Sequence, residues 1–202
     1  FAGKAQQAAD QFGAPPCGIH CRCQAFLEQR LHALLLGQRR QVAQDDGQNI
    51  VEVMGHKAGW IALHSGMAGG GDIILLPEIP FDIHRIGDAI INRLKKGKPY
   101  SIVVVAEGIP TIGGKKAAQY IAEEIEYETG FETRETVLGY IQRGGSPTAY
   151  DRNLATRLGG HATELISKGE FGRMVCMCGN NVTSTPLSDV AGKLKLVTEE
   201  HE

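Results

Sequence analysis

From Ile50 onward, short apolar runs alternate with longer stretches whose apolar residues recur at helical spacing. Ile50–Met54 reads as a strand, and Ala58–Ala68 as a helix carrying Trp60, Ile61, Leu63 and Met67, stopped by Gly69, Gly70 and Gly71. Asp72–Leu76 has the continuous apolar character of a strand covered on both faces. Ile83, Ile86, Ile90 and Leu94 then fall at steps of three, four and four. This predicts an amphipathic helix, with Lys95, Lys96 and Lys98 at its C-terminal end and Gly97 closing it. Ser101–Ala106, with three consecutive valines, is a second buried strand. Lys115–Thr129 is a helix with Ala118, Ile121, Ala122 and Ile125 on one side, ended by Gly130. Thr133–Tyr140 is strand or extended chain, and Pro147–Lys168 is a long helix turning Leu154, Leu158, Ala162 and Leu165 inward. Met174–Met177 closes the series as a last strand. The alternation predicts an α/β fold with a mostly parallel sheet and helices on its faces.

Residues 1–49 do not share this order. They hold nine glutamines and three of the five cysteines, and only Ala25–Leu36 shows helical spacing. Cys17, Cys21 and Cys23 with His20 crowd like metal ligands, but no second CxxC or HxxxH completes a tetrahedral set. Cys176 and Cys178 lie two apart on the last strand, which predicts core packing on one face. An odd number of cysteines without a signal-like start fits a reducing, cytoplasmic setting. Lysine and arginine total 21 against 23 aspartates and glutamates, a net charge of −2 that argues against nucleic-acid and membrane-surface partners.

Ligands of open parallel sheets gather beyond the carboxyl ends of the strands, and three such ends stand out. Met54-Gly55-His56-Lys57 puts a glycine and two cationic side chains directly after a strand, although an ordinary tight turn would read the same way. Glu107-Gly108 closes the valine strand with a carboxylate, which suits sugar hydroxyls or solvent equally. Arg143-Gly144-Gly145-Ser146-Pro147 runs from extended chain through a turn to Ser146 as N-cap and Pro147 as first helical residue. Amide donors, a helix dipole and a guanidinium would then meet in one anion-binding corner, with Arg134 upstream; a plain capped helix is the other reading. His64, His84 and His161 fall within helical patterns and read as exposed or capped.

Taken together, Val51-Glu52-Val53-Met54-Gly55-His56, Ala68-Gly69-Gly70-Gly71-Asp72, Leu76-Pro77-Glu78-Ile79-Pro80 and Gly139-Tyr140-Ile141-Gln142-Arg143-Gly144-Gly145-Ser146-Pro147 resemble the bacterial 6-phosphofructokinase family. Tyr150-Asp151-Arg152 extends the last of these motifs. The resemblance implies residues 50–202 as the sugar-phosphate-binding part of a two-lobed α/β subunit, with residues 1–49 unmatched and foreign or misread. It implies magnesium-dependent phosphoryl transfer from ATP to the 1-hydroxyl of fructose 6-phosphate, and a homo-oligomer, tetramer or dimer. By the same resemblance the sugar meets Met54, Gly55, His56 and Glu107, and the 6-phosphate meets Tyr140 and Arg143, with Arg134 reaching in from a neighbouring subunit.

Three positions depart from the common family pattern. His56 stands where arginine is frequent, Tyr140 where many members have histidine, and Gly47 near a usual arginine. The first two resemble the branch that includes pyrophosphate-using enzymes. The donor and magnesium loop and the proton-accepting aspartate of the family find no counterpart in residues 1–49, so the resemblance implies an N-terminally truncated, catalytically impaired chain. The alternatives are a pyrophosphate-dependent phosphotransferase and a non-catalytic sugar-phosphate-binding or regulatory subunit.

Overall fold

Strands β1 (Gln48–Val53), β2 (Ile73–Leu75), β3 (Ser101–Ala106) and β4 (Thr133–Val137) form one sheet in the order β2-β3-β1-β4, each neighbour parallel. Ile50 sits beside Val103 and Val51 beside Val104, so the two most apolar strands occupy the centre. The computed structural model describes residues 47–198. These fall into two compact units, residues 47–145 with 195–198, and residues 146–194. The segment of residues 1–46 lies outside the described residues, and with it the helix expected over Ala25–Leu36 and the grouping of Cys17, His20, Cys21 and Cys23 noted in the sequence.

Both faces of the sheet are covered, which is why β1 and β3 read as unbroken apolar runs. Helix α1 (Trp60–Gly69) packs on the face bearing Val51, Val53, Ile102, Val104 and Ala106. Helices α2 (Ile83–Lys95) and α3 (Ala117–Thr129) pack on the opposite face against Ile50, Val103 and Val105, through Ile86, Ile90, Ile121 and Ile125. Asp82 starts α2 by accepting the His84 amide, and Gly130 ends α3 in the left-handed conformation at φ 70°. The sequence-read boundaries of these elements hold to within two or three residues. β2 is the exception in character: as an edge strand of three residues, its Ile73 and Ile74 are only half-buried. Asp72 lies outside it, where its carboxylate accepts the Ile102 amide and pairs with Arg93 at 2.7 Å.

Residues 195–198 return to this unit. The Trp60 indole donates to the Lys195 carbonyl at 2.8 Å. Glu78 accepts from the Val197 and Gly59 amides, so one carboxylate ties the chain after β2 both to the start of α1 and to this returning segment.

The second unit is α4 (Ala149–Ser167) packed on a hairpin of β5 (Arg173–Cys178) and β6 (Asn181–Pro186). Three expectations are corrected here. The last strand does not extend the parallel sheet but pairs antiparallel with β6, a strand whose polar sequence (Asn-Val-Thr-Ser-Thr-Pro) hid it. Cys176 is buried while Cys178, at the strand end, is exposed, so the two do not share a core. The helix starts at Ala149, with Thr148 rather than Ser146 as N-cap. Thr148 and Asp151 form a reciprocal capping box that already fills the first amides and places a carboxylate there. Thr148→Ala is expected to lower stability by about 1 kcal/mol in urea unfolding, with Thr148→Ser near wild type. Leu154 and Leu165 are buried as the period predicts, and Leu158 and Ala162 are half-buried.

Candidate functional site at the ends of β1 and β3

The chain leaves β1 through α1 on one face of the sheet and leaves β3 through α3 on the other. Adjacent strands whose connections part in this way open a crevice at their carboxyl ends, and the sequence-predicted Met54-Gly55-His56 and Glu107 stand at that crevice.

Side chains from two other segments fix the turn after β1. Glu107 Oε1 accepts from the Gly55 amide at 3.0 Å and the His56 amide at 2.7 Å. Gln142 Oε1 accepts from the Met54 amide at 3.3 Å. Three consecutive amides are thereby held. The turn is tight enough to put His56 at φ 55°, a left-handed conformation that disfavours most residues. Glycine is required by close approach: a Cβ on Gly55 would lie 2.5 Å from the Ala58 carbonyl oxygen, and one on Gly108 would lie 2.3 Å from that of His56. Gly108→Ala is expected to destabilise the protein by about 1–3 kcal/mol in chemical denaturation, because backbone and not a flexible side chain must give way.

Glu107 therefore differs from the expectation in one respect. It is exposed, as the solvated reading allowed, but one of its oxygens serves the protein's own backbone. Tyr140 and Arg143 lie together on a short 3-10 segment, Gly139–Arg143, that directly follows β4. Both are exposed, and the guanidinium carbon sits 5.2 Å from the Tyr140 ring centroid, in cation–π range. Gln142, on the same segment, is buried and links it to the Met54 turn. Arg134 is not brought to the crevice. It is the second residue of β4, beside Asn49, exposed, with its Nε donating to Glu132 at 3.0 Å.

Arg143 stands on the 3-10 segment as a guanidinium backed by an aromatic ring. The first turn of α4 carries its own capping box, with Thr148 rather than Ser146 as N-cap.

Beside the turn lies a cavity of about 380 Å³ lined by Glu52, His56, Glu107, Thr111 and Lys116. Three of these, Glu52, Thr111 and Lys116, were missed in the sequence. Glu52, only 8% exposed, projects on the α3 side of β1, where Ile50 packs. A charged residue inside an otherwise apolar strand was the signal that could have found it. Burial is the largest influence pushing its carboxyl above the ordinary 4.5; Lys116 opposes the rise and Glu135 and Glu107 add to it. The sign follows: the native state holds this proton more tightly than the unfolded chain, so stability falls as pH rises through the raised value. Glu52→Gln is expected to abolish this loss, and its stability advantage over wild type should grow from acid toward neutral pH in paired melts. Lys116, exposed at the entry to α3, was read as part of the helix rather than of a site.

Residues 39–166, more than half of the chain, match the family described as Phosphofructokinase. The chain belongs to the phosphofructokinase family. It is similar to the ATP-dependent 6-phosphofructokinase 3 of Bacteroides thetaiotaomicron, with 68% identity over 86% of this chain and 49% of that protein. It is also similar to the pyrophosphate–fructose 6-phosphate 1-phosphotransferase of Amycolatopsis methanolica, 42% identical over 75% of this chain and 49% of that protein. The fold matches the pyrophosphate-dependent phosphofructokinase of Marinobacter aquaeolei, with a TM-score of 0.76 and 24% identity, over 98% of this chain and 58% of that one. The phosphofructokinase of Saccharomyces cerevisiae matches at a TM-score of 0.72 and 28% identity, over 83% of this chain and 23% of that one. The chain spans about half the length of the curated relatives it matches.

Proposed function

We propose that the protein is a 6-phosphofructokinase, moving a phosphoryl group from ATP to the 1-hydroxyl of fructose 6-phosphate, and that this chain supplies the sugar-phosphate side of the site. The observation that carries the reading is the Gln142–Met54 hydrogen bond. It docks the segment bearing Arg143 and Tyr140 onto the turn clasped by Glu107, so an anion-binding end and a hydroxyl-binding end share one crevice. In this reading Met54, Gly55, His56 and Glu107 orient the sugar, with Oε2 of Glu107 accepting from its hydroxyls, and Tyr140 and Arg143 hold the 6-phosphate. Arg134, exposed on β4 and apart from the crevice, serves the site of a neighbouring copy in a dimer or tetramer.

The family implies magnesium; among the described residues no group of three or more histidines, cysteines or acids stands together as a metal site, and no ligand for it is assigned to this chain. The chemistry assigned to this chain's own side chains is binding and orientation, which is a large part of phosphoryl-transfer catalysis. A glycolytic role in the cytoplasm is part of this proposal. Among the described residues no helix is long and apolar enough to cross a membrane.

ATP is the donor named for the Bacteroides relative. Pyrophosphate is the second reading, favoured by His56 and Tyr140 in place of the frequent arginine and histidine and by the relatives named for that donor. Calorimetric titration of the chain with fructose 6-phosphate and with fructose tests the assignment. Saturable binding of the phosphorylated sugar alone is expected, and equal behaviour of the two would overturn it. Turnover measured with magnesium and either ATP or pyrophosphate then separates the two donors, and binding without turnover would favour a sugar-phosphate-binding subunit.

A further inference from the structure

Glu52 is more than nine-tenths buried, yet its carboxyl takes no hydrogen bond and no ion pair among the described residues. Its side chain lines the cavity at the end of β1. The carboxyl oxygens are not sealed off from that space, so something that enters the cavity can satisfy them. The groups facing it do not: Lys116 of α3 influences it through space without reaching it, and Glu107 and Glu135 repel its charge. The cavity it opens into is large enough for part of a small polar ligand, and Glu107 enters the same space from the β3 side. Two carboxyls, an imidazole and a lysine around one cavity suit a ligand rich in hydroxyls, because each can exchange hydrogen bonds with an alcohol.

We propose that Glu52 is a specificity-determining residue of the sugar site, its carboxyl meeting one ring hydroxyl of the ketose phosphate from the side of the cavity opposite Glu107. This deepens the reading of the crevice as a fructose 6-phosphate site and rests on it. The hydrogen bond selects the sugar, whereas Arg143 selects the phosphate. Losing the hydroxyl or the carboxyl should therefore weaken binding once and not twice.

The test is a cycle of calorimetric titrations on the full 202-residue chain. Wild type, Glu52→Leu, Glu52→Asp and Glu52→Gln are titrated with fructose 6-phosphate, its 3-deoxy and 4-deoxy analogues, and inorganic phosphate. Wild type is expected to bind one of the deoxy analogues about tenfold more weakly than the parent sugar phosphate. Glu52→Leu should lose about tenfold for the parent and then no longer distinguish that analogue, while Glu52→Gln, which still hydrogen-bonds, stays within about threefold of wild type. Glu52→Asp, too short to reach, should behave like the leucine variant and keeps the test available if leucine does not fold. Affinity for inorganic phosphate should be the same in all. Undiminished affinity for the parent sugar phosphate in both Leu and Asp variants, or full discrimination retained by them, would overturn the assignment. If wild type binds the sugar phosphate and loses it in Arg143→Ala but is indifferent to Glu52, this proposal alone is refuted. If wild type binds no sugar phosphate, the crevice reading and this proposal are both refuted.

Discussion

Arg143→Ala is expected to weaken fructose 6-phosphate binding by about ten- to hundredfold, with Arg143→Lys between the two. A charge-assisted guanidinium contact is worth about 1.5–3 kcal/mol, and lysine keeps the charge but not the fork that grips two phosphate oxygens. Arg143 is exposed and sits over the exposed Tyr140 ring, so its removal should leave the melting temperature nearly unchanged. Calorimetry with fructose 6-phosphate, set against fructose as a ligand without the phosphate, reads the effect. Equal affinity for all three proteins would show that the phosphate lies elsewhere.

Glu107→Ala is expected to lower sugar-phosphate affinity by at least about tenfold and to destabilise the protein by about 1–3 kcal/mol. One oxygen of this carboxylate holds two successive amides of a turn that keeps His56 in a left-handed conformation. Without that acceptor the turn is free to relax toward more favourable backbone angles, and the amides of Gly55 and His56 should exchange faster with solvent. Glu107→Gln retains an oxygen in the same place and should restore most of the stability. It should recover less of the binding, because the acceptor oxygen assigned to the sugar is replaced by an amide NH2, which only donates. Amide hydrogen exchange and calorimetry on the two variants separate these contributions, and an alanine variant with wild-type protection of Gly55 and His56 would contradict the clasp.

Much of the fold was legible because burial on both faces leaves a direct imprint. Ser101–Ala106 could be nothing but a covered strand, and the Ile83, Ile86, Ile90 and Leu94 spacing fixed the face of α2. β6 was not legible, since a strand of a small hairpin with half-exposed residues carries no run of apolar side chains. The start of α4 was misplaced by two residues because Ser146-Pro147 and Thr148 are both acceptable starts locally. The reciprocal bond between Thr148 and Asp151 decides between them.

Sequence by itself determined the parallel α/β core, the residues at its strand ends and the phosphofructokinase kinship, because periodicity and motif are properties of neighbours along the chain. Tertiary structure alone decided who holds whom. Glu107 turned out to grip the backbone of a turn 51 residues away, Gln142 to anchor Met54 across 88 residues, and Glu52 to line the cavity beside that turn. The reason is physical: hydrogen bonds between segments distant in sequence depend on sheet order and on which face each connection takes. No local pattern of residues encodes those choices.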